Sequence, residues 1–309
     1  MSFDRLIENI ERLGNPTVAG LDPKLEYIPE AIKEKAFKEY GRNFDGAAAA
    51  ILEFNKGLID ALCDIVPAVK PQAAYYEMYG WQGVKVLYET INYAKENGMF
   101  VITDGKRNDI GSTMEAYACA HLGSTDIGGE SLEAFGADAL TVNAYLGSDG
   151  INPLLDICKK GDKGIFALVK TSNPSSGELQ DRILSSGISV YQQMGIFVEK
   201  WGEDNRGKYG YSAVGAVVGA TYPRQLEQMR SECPHTMFLV PGYGAQGGGA
   251  KDIIPAFDKD GRGAIINSSR AIMCAYKKEG CAPEEYAEAA RREAIRMRDE
   301  INAELAGRE

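Results

Sequence analysis

Asp104, Lys106 and Asp109 fall within ten residues, Asp104-Gly-Lys-Arg-Asn-Asp-Ile-Gly-Ser-Thr113, directly after an apolar run at 99–103. Alternating charges at the carboxyl end of a buried strand are where an α/β barrel carries out chemistry. The same string also fits a solvated turn, so the other strand ends must separate the two readings. Lys70 is the first that does. It abuts the apolar Val66-Pro-Ala-Val69, where a lysine neither caps nor turns, and a desolvated ammonium needs a partner.

A second kind of chemistry, the gripping of an anion, is written into Pro241-Gly-Tyr-Gly-Ala-Gln-Gly-Gly-Gly249. Glycines let backbone N–H groups converge on a phosphate, and Gln246 can add a donor. Shortly beyond, Ile265-Ile-Asn-Ser-Ser-Arg270 ends a strand and opens a helix, placing free N–H groups and a guanidinium together. Barrel enzymes often bind phosphate after strands 7 and 8. The remaining strand ends carry Asp22, Asn143, Thr171 with Ser172, and Gly219. Asn143, Thr171 and Gly219 fit helix capping and turn formation equally well.

The elements that must hold these residues are legible as eight short segments rich in Val, Ile, Leu, Phe and Ala: 17–21, 67–69, 99–103, 139–142, 164–169, 213–218, 237–240 and 263–266. Each precedes a turn and a stretch of helical periodicity, clearest at 47–66, 81–97 and 283–305. Gly98 and Gly136 stand where a helix carboxyl cap wants positive φ. Near-continuous apolar strands alternating with helices predict a parallel sheet covered on both faces. Eight such units predict closure into a (β/α)8 TIM barrel. A doubly wound open sheet stays compatible with the alternation, but Gly20-Leu-Asp-Pro-Lys24 lacks the GxGxxG fingerprint of that fold. The long connections 22–44 and 172–212 predict extra helical insertions after strands 1 and 5. Barrels of roughly 200 to 400 residues form one unit, so the 309 residues are expected to make a single domain spanning 1–309.

A net charge of -10 argues against a nucleic-acid partner, because that role needs a basic face. Residues 1–14 show helical spacing of Leu6, Ile7, Ile10 and Leu13 rather than a signal peptide. No stretch approaches the roughly 20 apolar residues of a membrane span. The six cysteines contain no CxxC pair and the two histidines, His121 and His235, lie far apart. Reduced thiols, a cytoplasmic location and no zinc site are the expectation.

Taken together, Asp22, Lys70, the DGKRNDIGST stretch, TSNP at 171–174, PGYGAQGG and NSSR resemble orotidine 5'-phosphate decarboxylase in its longer-chain form. The resemblance runs from Asp22 to Arg270; Asn108 and Gly111 depart from other branches of the family. It implies a cofactor-free, metal-free decarboxylation of orotidine 5'-monophosphate to uridine 5'-monophosphate in pyrimidine biosynthesis. By that resemblance Lys70, Asp104, Lys106 and Asp109 form a charge tetrad, with Asp109 reaching into the neighbouring subunit's site of a homodimer. Lys106 would stabilise the C6 carbanion and protonate it, Asp104 would face the substrate carboxylate, and Lys70 would orient Asp104 and the ribose. Asp22 and the partner's Thr113 would hold ribose hydroxyls. Ser172 would read the pyrimidine amide edge, the partner's Ile110 would enclose the ring, and Gln246, Ser269 and Arg270 would bind phosphate, with the loop around Gln246 as a lid. Four such charges close together hold each other ionised.

Three other readings are distinguishable. A metal-dependent relative of the hexulose-phosphate synthase kind needs a carboxylate at strand 2, where Lys70 would repel the ion. Schiff-base catalysis by Lys106 is disfavoured by two flanking carboxylates that keep its amine protonated. A silent binding barrel would have no use for four charged groups that are costly to assemble.

Overall fold

The computed structural model describes residues 2–244 and 249–308. Its strands are β1 (Thr17–Leu21), β2 (Ala68–Pro71), β3 (Phe100–Arg107), β4 (Thr125–Ile127), β5 (Glu130–Leu132), β6 (Ala139–Val142), β7 (Gly164–Lys170), β8 (Val214–Val218), β9 (Phe238–Val240) and β10 (Ala264–Ser268). Six of them, β1, β2, β6, β8, β9 and β10, are buried along their whole length. Such strands need cover on both faces. They obtain it by closing, all parallel, in the order β1-β10-β9-β8-β7-β6-β3-β2, with helices outside. The architecture is the TIM barrel that the apolar runs predict.

Alternation along each strand divides the side chains between two cores. Val18, Phe100, Ile102, Phe166 and Leu239 meet in the barrel interior, whereas Leu140, Val142, Ile165 and Val218 pack outward against the helices. The floor of the barrel is closed by the first helix, Ser2–Leu13, whose Phe3 ring lies 4.8 Å from Phe166 and 6.4 Å from Phe100, centroid to centroid. With the amino-terminal end plugged, the carboxyl-terminal end is left for ligands.

Several boundaries differ from the sequence expectation, each for a local reason. The strand expected at 99–103 continues to Arg107, so Asp104 and Lys106 lie within a strand rather than in a loop. Between β3 and β6 the register slips: the stretch from Thr103 to Arg107 spans only the step from Leu140 to Val142. That bulge holds Lys106 at φ 48°. The helix expected at 47–66 begins earlier, at Phe44, because the Asn43 side chain accepts the Gly46 N–H as its cap. Gly98 follows a helix end at φ 76°, as expected, but Gly136, at φ 63°, lies in the irregular stretch between β5 and β6, far from the preceding helix end at His121. After β1 the insertion is helical, comprising a 3-10 turn Leu25–Tyr27 and a helix Glu30–Tyr40. After β7 it is largely not: a 3-10 turn Pro174–Glu178 leads to Val190–Gly202, which is the ordinary crossover helix. The exposed hairpin β4–β5 has no counterpart in the sequence reading.

Phe3→Ala should lower unfolding free energy by about 3–5 kcal/mol through the cavity it leaves. Urea unfolding measures this, and a change below about 1 kcal/mol would show that the first helix does not seal the floor.

Candidate active site

At the open end of the barrel the Asp104 carboxylate is the centre of a cluster of close polar contacts. Its Oδ2 accepts from Lys70 Nζ at 2.8 Å and from Gln72 Nε2 at 2.9 Å. Its Oδ1 accepts from Lys106 Nζ at 2.6 Å and from the Thr141 hydroxyl at 2.8 Å. The backbone makes this convergence possible. Lys70 lies in β2 in register with Gly20 of β1, and Gln72 bridges to Asp104. Lys106 reaches back over only two residues because the bulge turns its backbone into the left-handed region, a conformation costing roughly 1–2 kcal/mol for a residue with a Cβ. The Thr141 hydroxyl steadies it by accepting the Lys106 N–H at 3.0 Å.

Lys70 and Asp104 are both buried. Burial alone would push the Asp104 pKa up, but the charges of Lys70 and Lys106 and their hydrogen bonds hold it well below the usual carboxylate range. Burial likewise opposes the Lys70 charge, yet Asp104 and then Asp22 outweigh it and leave its pKa above the ordinary lysine value. The ion pair is thus fixed in its charged form.

Two chambers meet over this pair. One, about 460 Å³, is lined by Asp22, Asn267, Ser269 and Arg270 together with Tyr27 and Tyr75. The other, about 450 Å³, is lined by the apolar Leu168, Val217 and Leu239, with Lys106, Thr141, Ser172 and Gln180 at its edges. Lys70, Asp104 and Pro241 line both. In the first chamber Asp22 Oδ1 and Asn267 Oδ1 are buried acceptors with no partner among the described residues, oriented groups that a polyhydroxylated ligand would satisfy. Two glycines leave room for the lining. A Cβ on Gly20 would run into the Ser269 hydroxyl, and one on Gly219 would sit 2.8 Å from the Ser172 Cβ. The close approach to Ser172 gives Gly219 a spatial reason to be glycine.

The structure thus brings together Lys70, Asp104, Lys106, Asp22, Ser172, Ser269 and Arg270. It does not bring in Asp109, Ile110 or Thr113. Asp109 accepts only the Ile110 N–H, at 2.8 Å, among the described residues, and lines neither chamber. Ile110 is 51% exposed, and Thr113 is exposed on the helix Gly111–His121. Gln246 lies outside the described residues, as does the centre of the glycine loop. Gln72, Thr141, Tyr75 and Gln180 escaped the sequence reading, whereas Asn267 was noted only as part of NSSR. Thr141 alone left a signal, a hydroxyl in the otherwise apolar Ala139–Val142.

Residues 50–284 match the model of the orotidine 5'-phosphate decarboxylase / HUMPS family. The chain belongs to that family. It is 47% identical over 270 residues to orotidine 5'-phosphate decarboxylase of Rhodopirellula baltica, covering 87% of each chain. With the enzyme of that name from Caldicellulosiruptor bescii it shares 41% identity, over 89% of this chain and 90% of the other. The solved Leishmania donovani OMP decarboxylase superposes with a TM-score of 0.72 at 30% identity, over 96% of this chain and 99% of that one. Membership places these strand ends in a decarboxylase barrel. The six cysteines are all free thiols, and no helix among the described residues is long and apolar enough to cross a membrane.

A carboxylate whose folded pKa is depressed contributes stability that is complete above its unfolded value, about pH 4, and is lost as pH falls below it. Asp104→Asn should therefore cost about 3–5 kcal/mol at pH 7, where it strands buried Lys70. The gap to wild type should narrow as pH falls from about 4 toward 3. Denaturant midpoints across pH test this; parallel curves would contradict it.

Proposed function

We propose that this protein removes the C6 carboxylate of orotidine 5'-monophosphate, yielding uridine 5'-monophosphate and CO2, as a step of pyrimidine biosynthesis. The observation that carries the reading is Asp104 held between Lys70 and Lys106 where a polar and an apolar chamber join. The pyrimidine occupies the apolar chamber with Ser172 at its amide edge. The ribose lies against Asp22 and Lys70, and the phosphate against Ser269, Arg270 and the loop bearing Gln246. C6 then sits over the ion pair.

As the bond from C6 to the carboxylate breaks, its electron pair stays on C6 and CO2 departs. The Lys106 ammonium stabilises that charge and transfers a proton to C6, and water reprotonates the lysine amine. Asp104, with both oxygens held, cannot swing away from the substrate carboxylate. Phosphate binding is remote from the reacting bond, so its energy acts by closing and aligning the site.

A metal-assisted reaction is the second reading the family name admits. The donor set speaks against it: each Asp104 oxygen already accepts two hydrogen bonds, and the buried Lys70 ammonium stands where a hard cation would need oxygen ligands.

Asp109, Ile110 and the partner subunit's Thr113 complete the reading as a shared site in a homodimer. What supports it is that Asp109 lines neither chamber of its own chain and stands beside the half-exposed Ile110.

Decarboxylation of orotidine 5'-monophosphate, followed by ultraviolet absorbance, should persist in EDTA; activity that needs an added divalent ion would favour the metal reading. Lys106→Ala should cut turnover by at least about 10³ while sparing product affinity, and Arg270→Ala should weaken substrate binding roughly ten- to hundredfold. The reverse pattern would overturn the roles. Mixing Asp109→Ala with Lys106→Ala chains should restore activity through hybrid dimers holding one intact centre, whereas no recovery would confine each site to one chain.

A further inference from the structure

Lys170, at the end of β7, is 0% exposed, a full-length lysine buried without any place in the mechanism. Phe166 lies in the barrel interior, and Leu168, two residues on, packs against the same core and lines the apolar chamber. Simple alternation would send Lys170 inward as well. A register shift prevents this: Leu168 pairs with inward Val217, whereas Lys170 pairs with outward Val218. The bulge turns the ammonium away from the chamber and into the insertion that follows.

There Lys170 Nζ donates to Asp181 Oδ1 at 2.7 Å and to the Ser176 hydroxyl at 3.2 Å, and it lies 4.6 Å from the Tyr222 ring centroid and 5.7 Å from that of Tyr191. Between strand and insertion runs Thr171-Ser172-Asn173. It is tied on its other side by Gln180, which accepts the Thr171 N–H at 2.9 Å and donates to its hydroxyl at 2.8 Å. Gln180 in turn is fixed through its backbone to Ser176 and Tyr191. Asp181 is 45% exposed, so the pair joins a dry cation to an anion at the surface.

We propose that the Lys170–Asp181 pair is a latch that holds residues 171–181 as one wall of the apolar chamber, making Lys170 a positioning residue for pyrimidine recognition. The latch sets where Ser172 stands and touches no reacting atom. The inference rests on the function proposed above, since it presumes that Ser172 and the apolar chamber receive the base.

Asp181→Asn is the informative variant, because the half-exposed site tolerates an isosteric amide while the buried ammonium loses its counter-charge. In the full-length protein it should raise KM for orotidine 5'-monophosphate and weaken uridine 5'-monophosphate binding by about tenfold or more, with a smaller fall in kcat. Affinity for ribose 5-phosphate, which lacks the base, should be unchanged, and Asp181→Glu should recover most of the loss. Equal losses for both ligands would show general damage and overturn the latch. So would a variant matching an active wild type in every readout. A wild-type chain that does not decarboxylate orotidine 5'-monophosphate would instead overturn the functional reading, and the latch with it.

Discussion

One buried carboxylate with two ammonium groups on it is the constraint around which the open end of this barrel is built. Asp104 cannot be buried as an anion without partners, nor can Lys70 be buried as a cation. Each stabilises the other's charge, and Gln72 and Thr141 take up the remaining lone pairs of Asp104. A fully satisfied cluster of this kind is rigid, and its rigidity fixes Lys106, the most exposed member. The left-handed backbone at Lys106 fits the same logic, for local strain persists only where the surroundings over-determine it. Here the Thr141 hydroxyl and the Asp104 carboxylate do so at both ends of the residue.

From that centre the division of labour follows the strands. β1 and β10 deliver a polar chamber suited to a sugar phosphate, and β7, β8 and β9 deliver an apolar one suited to a flat ring. Two bulges adjust the pattern. The one in β3 points a cation at the seam, and the one in β7 points a cation away from it. The first sets Lys106 against Asp104 where the chambers meet; the second keeps the Lys170 ammonium out of the chamber and pairs it with Asp181. Similar strand ends thus serve opposite ends because one or two extra residues change which face a side chain takes.

Much of this was written in the sequence, and what was not has identifiable causes. Buried parallel strands announce themselves as apolar runs, so all eight barrel strands and the order of charged residues leaving them were legible. The length of β3 was not, because Asp104-Gly-Lys-Arg107 breaks the apolar pattern that marks a strand. Neither was the outward turn of Lys170, which depends on register with β8 rather than on its own segment. The hairpin β4–β5 is exposed throughout and lacks any hydrophobic alternation. Gln72 is an ordinary polar residue until strand pairing puts it beside Asp104. Asp109 was legible as a charge but not as a place, since within its own chain it lines neither chamber.

The claim that Asp104 and Lys106 act as one unit is tested most directly by a double-mutant cycle on kcat/KM for orotidine 5'-monophosphate, using Asp104→Ala, Lys106→Ala and the double variant. If the carboxylate works by holding the ammonium at the reacting carbon, losing either dismantles the same device, and the double variant should be about as slow as the slower single one. Losses that multiply would show two groups acting independently and would contradict the account.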